Sequence, residues 1–222
     1  LKEISNGLEA KWYVRGFIIS MCMTSEDYLA ALKISKRELG AYAIPIIPLF
    51  ENEKGLINSI TILSESFASA DIIATHQKKW GNRFEVMVGY SDSSKENGVL
   101  PSRLMVEEAL FKLEDFLIKQ ELTPVFFHGS GGSTSRGGGS VEEQLAWWPQ
   151  SALDIYKVTI QGEMVQRNFS QALIMRSQVG KVLESYNSIN PKKIQRPQVV
   201  TKFYRNVENL YRELVSDEAF RH

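Results

Sequence analysis

The stretch from Phe126 to Ser140 reads FFHGSGGSTSRGGGS and holds six of the fifteen glycines in the chain. A glycine-rich segment behind an apolar run (Val125, Phe126, Phe127) can turn several backbone N–H groups toward one anion. Glycine allows this because it lacks the Cβ that forbids such conformations and approaches. His128 and Arg136 bracket the segment, each able to donate hydrogen bonds or carry positive charge. The same composition also describes a flexible Gly/Ser linker. Two acids, Glu51 and Asp92, stand just behind two other apolar runs. Their hard oxygens suit Mg²⁺ or Mn²⁺, with water and substrate oxygens completing an octahedron. On spacing alone they read first as solvated surface acids. Lys95, three residues after Asp92, is either a further site cation or a surface lysine.

These residues need a scaffold, and the pattern of the chain supplies one. Short apolar runs read as strands within Tyr13–Met23, over Ala43–Phe50, from Phe84 to Tyr90, from Val125 to His128, and from Tyr156 to Ile160. Helical patterns separate them. Thr24-Ser25-Glu26-Asp27 opens a helix that Gly40 stops, with hydroxyl and acidic residues suited to its N-terminal end. Residues 55–79 read as one helix with Leu56, Ile60, Leu63 and Phe67 on a face, and residues 101–120 as another. Residues 91–97 read as a polar loop. Val141–Trp147, Gln171–Tyr186 and Val200–Val215 read as helices, the last two forming a helical extension over about 171–222. His76 falls inside a helical pattern and reads as structural or exposed.

Strands alternating with helices predict an α/β fold with parallel βαβ units. Glu51, Asp92 and His128 all follow strand ends, where a (β/α)8 barrel keeps its active site. About five strands are visible, so the sequence predicts part of a TIM-type barrel, with an open doubly wound sheet as the alternative. The 222 residues suffice for a single domain and are short for two. Because the chain begins at Leu1, a piece of a longer protein is expected. Lys plus Arg equals Asp plus Glu at 26 each, so charge predicts neither nucleic-acid nor membrane binding. One cysteine, Cys22, excludes an internal disulfide and a multi-thiolate metal site, which suggests a reducing cytoplasm. No apolar run approaches the ~20 residues of a membrane span.

Four ordered motifs carry a resemblance. The glycine-rich stretch resembles the active-site loop FHGRGGxxGRGGGP of phosphoenolpyruvate carboxylases. Ile18-Ile19-Ser20-Met21 is similar to that family's ISM strand, Met87–Lys95 to its MxGYSDSxKDxG, and Val158–Met164 to its VTxQGEM. Leu210–Val215 resembles a helix beyond the barrel core. The resemblance implies Mg²⁺ or Mn²⁺ held by Glu51 (in Leu49-Phe50-Glu51) and Asp92 (in Tyr90-Ser91-Asp92). It places Lys95 near metal and bicarbonate, and His128 at the carboxylation site. Arg136 would be a catalytic loop arginine that also meets acidic feedback inhibitors such as aspartate or malate. Gly129, Ser130, Gly131 and Gly132 would line the substrate with Arg136.

The implied reaction joins bicarbonate to phosphoenolpyruvate, yielding oxaloacetate and phosphate. It runs through carboxyphosphate and an enolate that the metal stabilises before attack on CO₂. A cytoplasmic homotetramer is implied for the whole protein. Two features depart from the family. Ser130 stands where HGRGG has arginine, and a hydroxyl does not replace a bidentate guanidinium. No histidine precedes a proline, and the family's C-terminal arginine segment is not present, so this stretch alone is expected not to turn over. The family is several times longer than this chain. Ser130 also motivates a second reading, a non-catalytic homologue used for assembly or ligand sensing. An unrelated anion-binding module is a weak third, since no P-loop pattern occurs.

Overall fold

A computed structural model of the chain describes residues 6, 8–68, 70–129, 140–188 and 196–217. Among these, strands and helices alternate. The first half runs β1 (Phe17–Ile19), α1 (Ser25–Leu39), β2 (Ile46–Phe50), α2 (Glu53–Phe67), α3 (Ala70–Lys79), β3 (Arg83–Gly89), α4 (Ser91–Asn97) and α5 (Val99–Lys119). The second half runs β4 (Thr123–Gly129), α6 (Val141–Leu145), α7 (Gln150–Asp154), β5 (Lys157–Val158), α8 (Glu163–Phe169), α9 (Ala172–Ser188) and α10 (Gln198–Ser216).

The five strands form one parallel sheet in chain order, each beside its successor. In β3 burial alternates: Phe84, Val86 and Val88 are buried, while Glu85 and Met87 are half-buried. The register sets Val86 beside Phe126 and Val88 beside His128, so one face gathers the buried set. Leu56 and Leu63 of α2 and Leu110, Leu113 and Leu117 of α5 pack into the same core. Each such leucine contributes about 1.5–3 kcal/mol of burial. The opposite face carries Glu85 paired with Lys157 at 2.5 Å, and that ammonium sits 4.6 Å from the Phe127 ring centroid. No single helix among the described residues is long and apolar enough to cross a membrane.

Local signals place several boundaries. Thr24 caps α1: its hydroxyl accepts from the Asp27 N–H, and the Asp27 carboxylate accepts from the Thr24 N–H. Gly40 ends the helix at φ +75°. Two expectations need correction. Residues 55–79 are not one helix. α2 ends at Phe67, whose ring packs edge-on to Phe84 at 5.0 Å and stacks on Phe116 at 5.7 Å. The Ser66 hydroxyl donates back to the Ile62 carbonyl at 2.7 Å, a bond that bends helices. Residues 91–97 are a helix rather than a loop. Ser93, Ser94 and Asn97 are buried and bond inward: Ser94 to the Tyr90 carbonyl at 2.6 Å, Asn97 to the Ser93 carbonyl at 3.2 Å, and Ser93 to Ser102 at 2.6 Å. β1 and β5 are also shorter than the apolar runs suggest, and Phe17 and Ile18 of edge strand β1 are exposed.

Candidate active site

Glu51 is the first residue after β2, Asp92 is the second residue of α4 behind β3, and His128 lies next to the end of β4. Because the strands are parallel, all three sit at the same edge of the sheet. Pairing of Phe50 with Val88 brings Glu51 alongside Gly89. The approach is close: a Cβ at position 89 would lie 2.5 Å from the Glu51 Cβ and 3.1 Å from its Cα. Glycine is required there by contact alone. The N–H of Ser93 then donates to the Glu51 carbonyl at 2.9 Å, so the first turn of α4 rests on the Glu51 backbone. The sheet and this bond bring the two candidate metal carboxylates to neighbouring positions.

Glu51 Oε1 accepts from the Met21 N–H at 2.9 Å. Met21 has φ +53°, a left-handed conformation uncommon outside glycine, and it points this amide at the carboxylate. Asp92 Oδ1 accepts from Lys95 Nζ at 2.8 Å. Both side chains are exposed (40% and 61%), and such a pair is worth at most about 1 kcal/mol, so it does not lock Asp92. The remaining oxygen of each carboxylate has no partner among the described residues. Two half-open hard carboxylates fit a divalent cation that takes its other ligands from water or substrate. No group of three or more His, Cys, Asp or Glu side chains converges as a metal site among the described residues.

His128 is fully buried, on the helix-covered face with Phe126 and Val88. Its ring stacks on Trp148 with centroids 3.4 Å apart, and its Nδ1 lies 2.7 Å from the Tyr90 hydroxyl. Burial holds the imidazole well below its ordinary pKa and pushes the Tyr90 hydroxyl up, so both are neutral near pH 7. The His128 Nε2 is buried without a partner among the described residues. Gly129 ends β4, while Ser130, Gly131, Gly132 and Arg136 lie outside the described residues. Ser140 caps α6 through a reciprocal bond pair with Glu143.

Sequence reasoning did not single out Trp148, and it treated Met21 and Tyr90 only as parts of motifs. The adjacent Trp147-Trp148 pair behind the glycine-rich loop was the available signal, because two tryptophans in polar surroundings need a buried surface. For Met21 the motif marked the position, while its role lies in its backbone and could not be read from the side chain.

A family model described as phosphoenolpyruvate carboxylase matches residues 3–221. The phosphoenolpyruvate carboxylase of Xanthomonas euvesicatoria pv. vesicatoria is 33% identical over 186 residues, which is 79% of this chain and 20% of that protein. That of Hahella chejuensis is 29% identical over 212 residues, covering 90% and 23%. That of Psychromonas ingrahamii is 35% identical over 157 residues, covering 69% and 17%. The chain thus spans about a fifth of the length of these curated relatives. With this match over nearly its whole length, and with strand-end carboxylates, a buried histidine and a glycine-rich sequence in the matching order, the chain belongs to the phosphoenolpyruvate carboxylase family.

Proposed function

We propose that the chain is the part of a phosphoenolpyruvate carboxylase that carries the metal carboxylates and the glycine-rich loop. The parent protein then adds bicarbonate to phosphoenolpyruvate, giving oxaloacetate and phosphate. The observation that carries this reading is the bond from the Ser93 amide to the Glu51 carbonyl, which seats the Asp92 helix beside Glu51 at the carboxyl edge of adjacent strands. We read the sheet as five strands of a (β/α)8 barrel. Strictly sequential parallel order supports this over a doubly wound sheet, which reverses at a switch point. The half-buried second face with Glu85, Lys157 and Phe127 supports it too, as a lumen side awaiting further strands.

Glu51 and Asp92 would hold Mg²⁺ or Mn²⁺, which when bound supplies Lewis-acid stabilisation of negative charge developing on a substrate oxygen. Glu51 is aimed by the Met21 amide. Lys95, paired with Asp92 at 2.8 Å, would stand beside the cation and offer its ammonium to an anionic substrate. Neutral His128, held by Tyr90 and Trp148 on the helix-covered face, would anchor the end of β4 from which the glycine-rich stretch departs, opposite the face read as the lumen. The glycine-rich loop and Arg136 would grip phosphate and carboxylate oxygens, with Arg136 also open to aspartate or malate. A cytoplasmic homotetramer belongs to the same reading. The non-catalytic alternative has no support beyond Ser130. The test is Mn²⁺ binding followed by electron resonance. Saturable binding lost in Asp92→Ala is expected. Absence of binding in the wild type, or equal binding in both, would overturn the site assignment.

A further inference from the structure

α10 is the last described helix and reaches back to the candidate site. The Tyr211 hydroxyl donates to the Lys95 carbonyl at 3.1 Å. Its ring lies over Gly98, where a Cβ would come within 3.2 Å of it. Next in sequence, Arg212 Nη2 lies 2.6 Å from Glu53 Oε2, 2.5 Å from Asn97 Oδ1 and 2.7 Å from Glu208 Oε1. Glu53 stands two residues after Glu51, and Asn97 ends the helix that carries Asp92 and Lys95. Asn97 is buried and its amide nitrogen donates to the Ser93 carbonyl, which turns its oxygen toward the guanidinium. The Glu53 N–H also donates to Glu96 Oε2 at 2.9 Å.

We propose that Arg212, with Tyr211, is a positioning residue that braces the segments behind β2 and β3 against each other, fixing the spacing of Glu51 and Asp92. The guanidinium suits the task, because its planar, permanently charged head carries one terminal nitrogen to oxygens on both segments. Glu208 holds the fork in place from one turn earlier in the same helix. The proposal rests on the metal reading above only for its consequence, not for the brace.

The test uses the 222-residue chain and two readouts, hydrogen exchange of the amides in residues 91–98 and Mn²⁺ affinity by electron resonance. Arg212→Met keeps the stem and removes the fork. It is expected to speed exchange over 91–98 and weaken Mn²⁺ about tenfold or more, the range for residues that orient metal ligands. Arg212→Lys should restore part of both, and Glu208→Gln should change them less than Arg212→Met. Unchanged exchange over 91–98, or faster exchange confined to α10, overturns the brace. Faster exchange with unaltered Mn²⁺ affinity overturns its link to the carboxylates. If the wild type binds no Mn²⁺ while the exchange shift appears, the brace stands and the metal reading alone fails.

Discussion

Gly89→Ala probes the seam between β2 and β3, on which the candidate site rests. The added methyl would lie 2.5 Å from the Glu51 Cβ and 3.1 Å from its Cα, where carbon atoms ordinarily rest about 3.5–4.0 Å apart. One strand must therefore yield by about an ångström. Neither can do so cheaply: Phe50 is paired with Val88, and the Glu51 carbonyl is held by the Ser93 amide. Overpacking of this kind costs about 1–3 kcal/mol. For a chain of this length, at roughly 2–4 °C per kcal/mol, Tm should fall by about 2–12 °C. Urea unfolding followed by circular dichroism measures the free energy directly. Gly180→Ala provides the opposing control. It lies within α9 with nothing inside 4 Å of the new methyl, so helix propensity alone should stabilise the chain by about 0.5–1 kcal/mol. If Gly89→Ala is as stable as wild type, the seam is looser than the distances state and the argument from contact fails.

Other substitutions separate further parts of the structure. Thr24→Ala removes the α1 cap and should cost about 1 kcal/mol in urea unfolding. Tyr90→Phe leaves His128 Nδ1 buried without its partner and should cost about 1–3 kcal/mol, a loss absent from a Tyr→Phe change at exposed Tyr13. The Cys22 thiol is buried and pushed up to about 12, chiefly by burial, so thiol reagents at pH 8 should react with it only after unfolding. His76 bonds the Arg83 carbonyl between Trp80 and Phe84, and burial lowers its pKa to about 4. The unfolded chain takes up that proton first, so stability should fall as pH drops from 6.5 toward 4, by about 3 kcal/mol at the low end. His128, also buried with a lowered pKa, adds to the same slope, so His76→Gln should make it shallower without removing it, and an unchanged slope would show that the His76 imidazole is not a source.

The fold was legible where chemistry is local. The Thr24–Asp27 box and Gly40 bound α1 through residues adjacent in sequence, and strands β2, β3 and β4 announce themselves as apolar runs. Legibility failed where tertiary bonds replace pattern. α4 has no apolar stripe, and its helix is secured by buried Ser93, Ser94 and Asn97, residues that in isolation signal a turn. The break after Phe67 has no glycine or proline to mark it. It follows from where the Phe67 ring packs, against Phe84 and Phe116 on other elements.

The site divides along the same line. Glu51, Asp92, Lys95 and His128 could be proposed from the sequence because each stands in a short motif at or soon after a strand end. Residues that aim them could not be. Met21 acts through a backbone amide at φ +53°, so its side-chain type carries no trace of the role. Arg212 lies 159 positions from Glu53 and 115 from Asn97, and on its own helix it looks like one more solvated arginine paired to Glu208. Its meaning arises only when the sheet sets the ends of β2 and β3 side by side. A ligand needs the right atoms, which a sequence spells out. A brace needs two separate segments at a fixed distance, and that distance exists only once the chain has folded.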